Sequence, residues 1–151
     1  MYMQNPLHQR RLFILGLGSQ GKAWAQNWRD SRLTFQILLR ANSTGIQEAQ
    51  KLDLSTMFFK EWRPENNDIF AMLIPDHTHK EVLQFFGQHG RDVPLTFIYA
   101  HGVSYTQHSW SKVYPNWSHL LLAPKAIASV VRANFLSHEP LAAVYSTEGS
   151  T

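Results

Sequence analysis

The sequence predicts a single α/β domain built on a doubly wound, mostly parallel sheet. Three observations carry that expectation. Short apolar runs alternate with helical patterns along the whole chain. The runs are continuous rather than polar–apolar alternations, as in strands buried on both faces. The first run leads straight into Gly16-Leu17-Gly18-Ser19-Gln20-Gly21 and an alanine-rich helical pattern.

Taken in order, strands are expected at 11–15, 34–39, 68–74, 95–100, 119–122 and 141–145. Helices are expected at 20–30, 45–52, 78–86 and 126–135. The polar, proline-containing stretch 60–68 reads as a surface loop leading into the third of these strands. Pro75 ends that strand, and Asp76 is placed to cap the helix that follows. Residues 1–10 read as a polar leader, 11–146 as the domain, and 147–151 as a polar, turn-forming tail.

The glycine motif gives the fold a function. In a strand–turn–helix unit of the Rossmann-like type, Gly16 makes the tight turn, Gly18 lets the backbone approach a pyrophosphate, and Gly21 allows the helix to pack closely on the strand. The first N–H groups of the helix and its positive dipole end then hold the anion. In such sheets ligands collect at the carboxyl ends of strands near the switch in strand order. Those ends are 16–21, 40–44, 75–79 and 100–102.

Nineteen residues after Gly21 the second strand ends in Arg40, where a domain selecting NAD usually carries Asp or Glu. A guanidinium pairs bidentately with a 2′-phosphate, and the hydroxyls of Ser43 and Thr44 follow at the start of the next helix. The pattern favours NADP(H) over NAD(H). A solvated strand-end charge is the plain alternative for Arg40. The expected cofactor contacts are Gly16, Leu17, Gly18, Ser19, Gln20, Gly21, Arg40, Ser43, Thr44, Pro75, Asp76 and Thr78.

Composition narrows the remaining classes. The chain is 44% hydrophobic and 17% charged, with a formal net charge of +3 and no cysteine. Disulfides, zinc–thiolate sites and thiol catalysis are excluded within it. The basic residues are scattered, which argues against nucleic acid as a partner. No apolar run approaches the ~20 residues of a membrane span. Residues 1–10 lack the apolar core of a signal peptide, so a cytoplasmic location is the expectation. Tyr105, Trp110, Tyr114 and Trp117 lie among polar residues with one basic neighbour, Lys112. They read as partly buried within the domain, or as a surface for self-association.

Several segments together resemble the amino-terminal domain of ketol-acid reductoisomerase, the NADP-dependent enzyme of branched-chain amino-acid synthesis. Gly18-Ser-Gln-Gly21 with Ala23, Ala25, Asn27 and Arg29-Asp-Ser31 is similar to that family's glycine loop and first helix. Leu39-Arg40 and Ser43 resemble its 2′-phosphate loop, Leu73-Ile-Pro-Asp76 its Leu-Pro-Asp strand end, and Ala100-His101-Gly102 its Ala-His-Gly. Ala123-Pro-Lys125, Val131-Arg132, Phe135 and Leu141-Ala-Ala-Val144 continue the match in order. There are departures. Ala126-Ile-Ala-Ser129 stands where the family usually has Gly-Pro-Gly-His, Asp76-His77-Thr78-His79 replaces Asp-Glu-x-Gln, and Gly45 occupies a position where serine is common.

The resemblance implies an alkyl migration followed by hydride transfer. It also implies two magnesium ions held by Asp and Glu of a helical carboxy-terminal domain. Magnesium requires clustered oxygen ligands, and only Glu139 and Glu148 follow Lys125. Magnesium is therefore expected only where such a domain is supplied elsewhere, and the chain is not expected to catalyse alone. His101 is the candidate for proton handling or for orienting metal-bound water, against a structural histidine bonding a loop carbonyl. Lys125 is the candidate for placing a positive charge on a substrate oxygen, against an ordinary exposed lysine. His77 and His79 lie two apart rather than four, with no acid placed to join them, and read as a polar loop and first helical turn. Two other functions stay open: a stand-alone nucleotide-binding regulatory or interaction module, and the cofactor domain of another NADP-dependent reductase. Partners are accordingly NADP(H), a second copy, or a separate helical domain.

Overall fold

In the computed structural model, which describes residues 5–149, the apolar runs become β1 (Leu12–Leu15), β2 (Phe35–Leu39), β3 (Thr56–Phe58), β4 (Asp68–Met72), β5 (Leu95–Tyr99), β6 (Trp117–Pro124) and β7 (Ala143–Gly149). The helices are α1 (Ser19–Asp30), α2 (Gly45–Lys51), α3 (His79–Gly90), α4 (Gly102–Gln107), α5 (Trp110–Val113) and α6 (Ala128–Ser137). The strands form one sheet in the order β3-β2-β1-β4-β5-β6-β7. The pairs from β3 through β6 are parallel, and β7 lies antiparallel on β6. The strand order reverses at β1, so the crevice between the ends of β1 and β4 is the switch point.

Side chains that alternate along each strand feed two cores, one on each face of the sheet. Phe13, Leu15, Leu38, Phe70, Met72, Phe97 and Tyr99 point to the face covered by α3 and α5. Ile14, Ile37, Leu39 and Ala71 point to the face covered by α1, α2 and α6. The first face holds an aromatic row across three strands. Phe13 stacks on Phe70 at 5.1 Å and Phe70 on Phe97 at 5.0 Å, with Phe86 of α3 4.5 Å from Phe70. Such pairs add about 0.5–1.5 kcal/mol each beyond their buried area.

The structure adds to or corrects the sequence reading at five places. Strand β3 went unrecognised because three residues are too few to show a period. The stretch 60–68 is not merely a surface loop, since Trp62 is fully buried against Phe70 and Phe86. Its indole N–H donates to buried Asp68 at 3.0 Å, and Arg11 pairs with the same carboxylate at 3.0 Å. The expected tail is strand through Gly149, because β7 pairs with β6 residue by residue down to Ser118; residues 150 and 151 lie outside the described part. Within the expected leader, Pro6–Gln9 forms a 3-10 turn capped by the Asn5 side chain, and residues 1–4 are not described. Finally, Trp110, Tyr114 and Trp117 are buried, with Tyr114 stacked on Trp117 at 3.9 Å. Burial within the domain, one of the two readings of these aromatics, thus holds for the three of them, while Tyr105 is half-buried.

One buried polar pair bridges adjacent strands: the Tyr99 hydroxyl lies 2.9 Å from His119 Nδ1. Burial pushes the His119 imidazole from an ordinary 6.5 down to about 4 and the Tyr99 hydroxyl upward. Buried His79 is lowered for the same reason. A histidine with a depressed folded pKa binds fewer protons folded than unfolded, so its contribution to stability is complete above pH 6.5 and is lost as the pH falls toward 4. Unfolding free energy is expected to drop by about 2 kcal/mol on His119's account between pH 7.5 and 5. Denaturant melts of the wild type and His119→Gln at both pH values check this, and the difference should shrink in the variant.

Candidate functional site: a cleft at the strand-order switch

The glycine turn works as its three positions require. Gly16 has φ +88°, and a side chain there would meet Ile74 Cγ2 at 2.7 Å and Leu73 O at 2.9 Å. A Cβ on Gly21 would lie 2.3 Å from Gly16 O, so the first turn of α1 can cross β1 only with glycine. Gly18 is different. It has an ordinary φ of −72°, and nothing lies within 4 Å of where its Cβ would stand. No fold contact therefore asks for glycine at 18. The open space there, beside the N–H groups of a helix start, is the cradle a pyrophosphate needs.

Next to this turn lies a cleft of about 620 Å³. Of the residues the sequence proposed as cofactor contacts, Gly16, Arg40, Ser43, Thr44, Pro75 and Thr78 line it. Leu39, Phe59, Ile74 and Val82 supply apolar wall that sequence reading did not assign to the site. Val82 follows the helical apolar pattern of α3 and so read as core, while Phe59 lies just past the unrecognised β3. Ser43 Oγ accepts from the Gly45 N–H at 3.1 Å, which leaves its own O–H free to donate outward. The Thr78 hydroxyl donates to Pro75 O at 2.7 Å. Arg40 Nη2 lies 3.2 Å from Glu81 Oε2, an ion pair reaching from the end of β2 to the first turn of α3.

Other expected contacts sit elsewhere. The Leu17 side chain is buried in the core under α1, leaving only its backbone for the cleft. Ser19 borders a separate recess with Lys22 and Arg132. Gln20 turns toward the β6–α6 connection, its Nε2 donating to Ala126 O at 3.3 Å. Asp76 caps no helix: α3 has Thr78 at its cap position, and Asp76 opens a 3-10 turn instead. Its Oδ1 lies 3.6 Å from His79 Nδ1, and it borders a recess with His77, Lys80 and Ser104 rather than the cleft. His79 is buried, with Nε2 3.0 Å from Ile74 O, so it holds the strand end in place.

His101 and Lys125 follow the ends of β5 and β6 and are exposed. His101 occupies the cap position of α4 without a side-chain cap hydrogen bond. Lys125 is held through its backbone, N–H to Ala142 O at 2.8 Å. Both lie on the same edge of the sheet as the glycine turn, and neither lines the cleft. Among the described residues no three His, Asp or Glu side chains converge as metal ligands do. The groups present among the described residues do not fit a magnesium site. No helix among the described residues is long and apolar enough to cross a membrane.

A doubly wound sheet with a glycine turn at its switch point, an open phosphate cradle and a cleft ending in arginine and serine defines a dinucleotide-binding domain. More particularly, residues 6–149 match the NADPH-binding domain of acetohydroxy acid isomeroreductase, and the chain belongs to that family. It is 35% identical to the ketol-acid reductoisomerase (NADP(+)) of Helicobacter pylori over 133 residues, 85% of this chain and 38% of that protein. To the Sulfolobus acidocaldarius enzyme of the same name it is 27% identical over 145 residues, 93% of this chain and 42% of that one. The chain thus spans about two-fifths of the length of these relatives.

Among solved structures, an NADH-preferring ketol-acid reductoisomerase from an uncultured archaeon superposes with a TM-score of 0.72 at 18% identity, over 95% of this chain and 44% of that one. Glycerol-3-phosphate dehydrogenase from Coxiella burnetii gives 0.66 at 14%, over 94% and 48%. At those identities the superpositions speak for the fold alone.

The glycines separate folding from binding. Gly21→Ala is expected to destabilise the domain by more than about 2 kcal/mol, since the clash is with backbone. Gly18→Ala should leave stability within about 1 kcal/mol of wild type and weaken NADPH binding at least tenfold. Thermal melts and fluorescence titration of the two variants check both statements.

Proposed function

We propose that this chain binds NADP(H) in the cleft at the end of β1 and β2 and is the cofactor half of a ketol-acid reductoisomerase. The observation that carries the reading is the open space at Gly18 two residues from Gly16, which lines the same cleft as Arg40 and Ser43. The pyrophosphate takes the N–H groups at the start of α1. Adenine lies against the apolar wall of Leu39, Ile74 and Val82. The 2′-phosphate receives the Arg40 guanidinium and the Ser43 O–H.

Bound NADPH would supply the hydride for the family's reduction. The chain's own residues bind and orient the cofactor, and Gln20 ties the glycine turn to the strand end that carries Lys125 through Ala126 O. Should a helical domain bearing magnesium ligands be supplied by a longer protein or a partner, His101 and Lys125 stand on the edge it would face, His101 to move or hold a proton at its imidazole and Lys125 to set a positive charge on a substrate oxygen. Exposed apolar residues offer a covering surface for such a domain or a second copy: Ile127, Val130 and Leu136 at α6, and Val144 and Tyr145 on the outer strand. The expected location of the work is the cytoplasm.

Two measurements test the reading. NADPH is expected to bind more tightly than NADH. Arg40→Ala should weaken NADPH by about 10- to 100-fold, as for the loss of a charge-assisted hydrogen-bonded pair, and leave NADH nearly unchanged. Absence of binding by either cofactor, or an NADH preference untouched by the substitution, overturns the assignment. The isolated 151-residue chain, supplied with acetolactate, NADPH and magnesium, is expected to show no turnover in a stopped NADPH-absorbance assay; measurable turnover would place the missing ligands within this chain.

A further inference from the structure

Among the described residues Arg40 is the one group lining the cleft with a full positive charge, and it is already engaged. Its Nη2 lies 3.2 Å from Glu81 Oε2, with the two side chains 55% and 73% exposed. Glu81 is the third residue of α3. Its helical neighbours Thr78 and Val82 line the cleft, which puts the carboxylate at the rim, opposite the loop 40–44. No other cation is paired with Glu81 among the described residues.

A 2′-phosphate arriving at Arg40 carries about −1.5 to −2 charges at neutral pH. It must therefore share the guanidinium with a carboxylate or displace it. Two anions on one cation repel each other, and the repulsion falls on NADP(H) alone, because NAD(H) presents a neutral 2′-hydroxyl at that place.

We propose that Glu81 is a specificity-determining residue that opposes the 2′-phosphate. By holding Arg40 across the mouth of the cleft, it lowers the domain's preference for NADP(H) over NAD(H). The inference rests on the NADP(H) reading of the cleft and deepens it: Arg40 creates the preference, and Glu81 sets how large it is. The carboxylate belongs to α3, outside the β2–α2 loop that carries the phosphate-binding groups, so the balance is struck between two separate elements.

The test is titration of the full chain with NADPH, NADH, adenosine 2′,5′-bisphosphate and adenosine 5′-monophosphate, in wild type, Glu81→Gln, Arg40→Ala and the double variant. Glu81→Gln is expected to tighten NADPH and the bisphosphate roughly two- to five-fold, the scale of an exposed ion pair. NADH and the monophosphate should not move. The gain should shrink in 0.5 M salt, where exposed charges are screened within about 5 Å, and vanish in the Arg40→Ala background. Thermal midpoints check that each variant is folded.

If wild type binds NADPH but Glu81→Gln leaves it unchanged or weakens it, Glu81 positions Arg40 rather than competing for it, and the proposal is overturned while the cofactor reading stands. Equal tightening of NADH overturns it as well, since the effect would not belong to the 2′-phosphate. Wild type that binds neither NADPH nor the bisphosphate removes the cofactor reading and this inference together.

Discussion

The contact between Gly16 and Gly21 is the constraint on which the rest of the molecule depends. With Gly21 pressed onto the Gly16 carbonyl, the chain leaves β1 and re-enters a helix within three residues. The helix N-terminus is thereby fixed at the carboxyl end of the central strand. Because β1 lies between β2 and β4, that point is also where the two halves of the sheet part. One close backbone approach therefore places the helix dipole, the phosphate cradle and the crevice at the same spot. Any Cβ at position 21 would push α1 off the sheet and take the site with it.

Around this turn the two faces of the sheet do different work. The face under α3 and α5 is an aromatic slab, Phe13, Phe70, Phe97 and Trp117, whose rigidity holds β1, β4 and β5 in register. On the other face Ala23, Ala25, Ala49 and Ala71 stand among aliphatic strand residues and Trp24, and the alanines let α1 and α2 sit close. Close packing of α2 brings Gly45 within reach of Leu39 and Ser43, which orients the loop that carries the phosphate-binding hydroxyl. A Cβ at position 45 would lie 3.0 Å from Leu39 Cδ2 and 3.1 Å from Ser43 Oγ, so a side chain there would crowd the loop.

The departures from the family pattern fall mainly on the side of the site that faces away from the cleft. Where the family has a glycine-rich turn after Pro-Lys, this chain has Ala126 and Ile127, and the former's carbonyl accepts from Gln20. The turn is thus still tied to the glycine loop, with side chains now projecting from it: Ile127 is 70% exposed. His77 and His79, in place of the family's acid and glutamine, divide into an exposed and a buried residue, and the buried one braces a strand end.

Six of the seven strands, the long helices, the glycine turn and the place of Arg40 were legible in the sequence because each rests on local periodicity or fixed spacing. Continuous apolar runs mark strands buried on both faces, and Gly-x-Gly-x-x-Gly has meaning within one turn. What escaped was non-local. Trp62 looked like a loop residue because its neighbours are polar, yet it is buried by Phe70 and Phe86. The aromatics at 110, 114 and 117 read as partly buried, and which of them stayed open to a partner depended on packing that composition does not specify. Residues 147–149 looked like a tail because nothing in their own composition specifies β6 as a partner. Asp76 looked like a cap, but the strand end turned it toward His79. Sequence by itself determined the fold class and the chemistry of the ligand, since both are written in short-range pattern. Only the tertiary structure decided which side chains line the cleft, and that Glu81, forty-one residues beyond Arg40, pairs with it, because contact across a sheet and its helices is set by packing and not by distance along the chain.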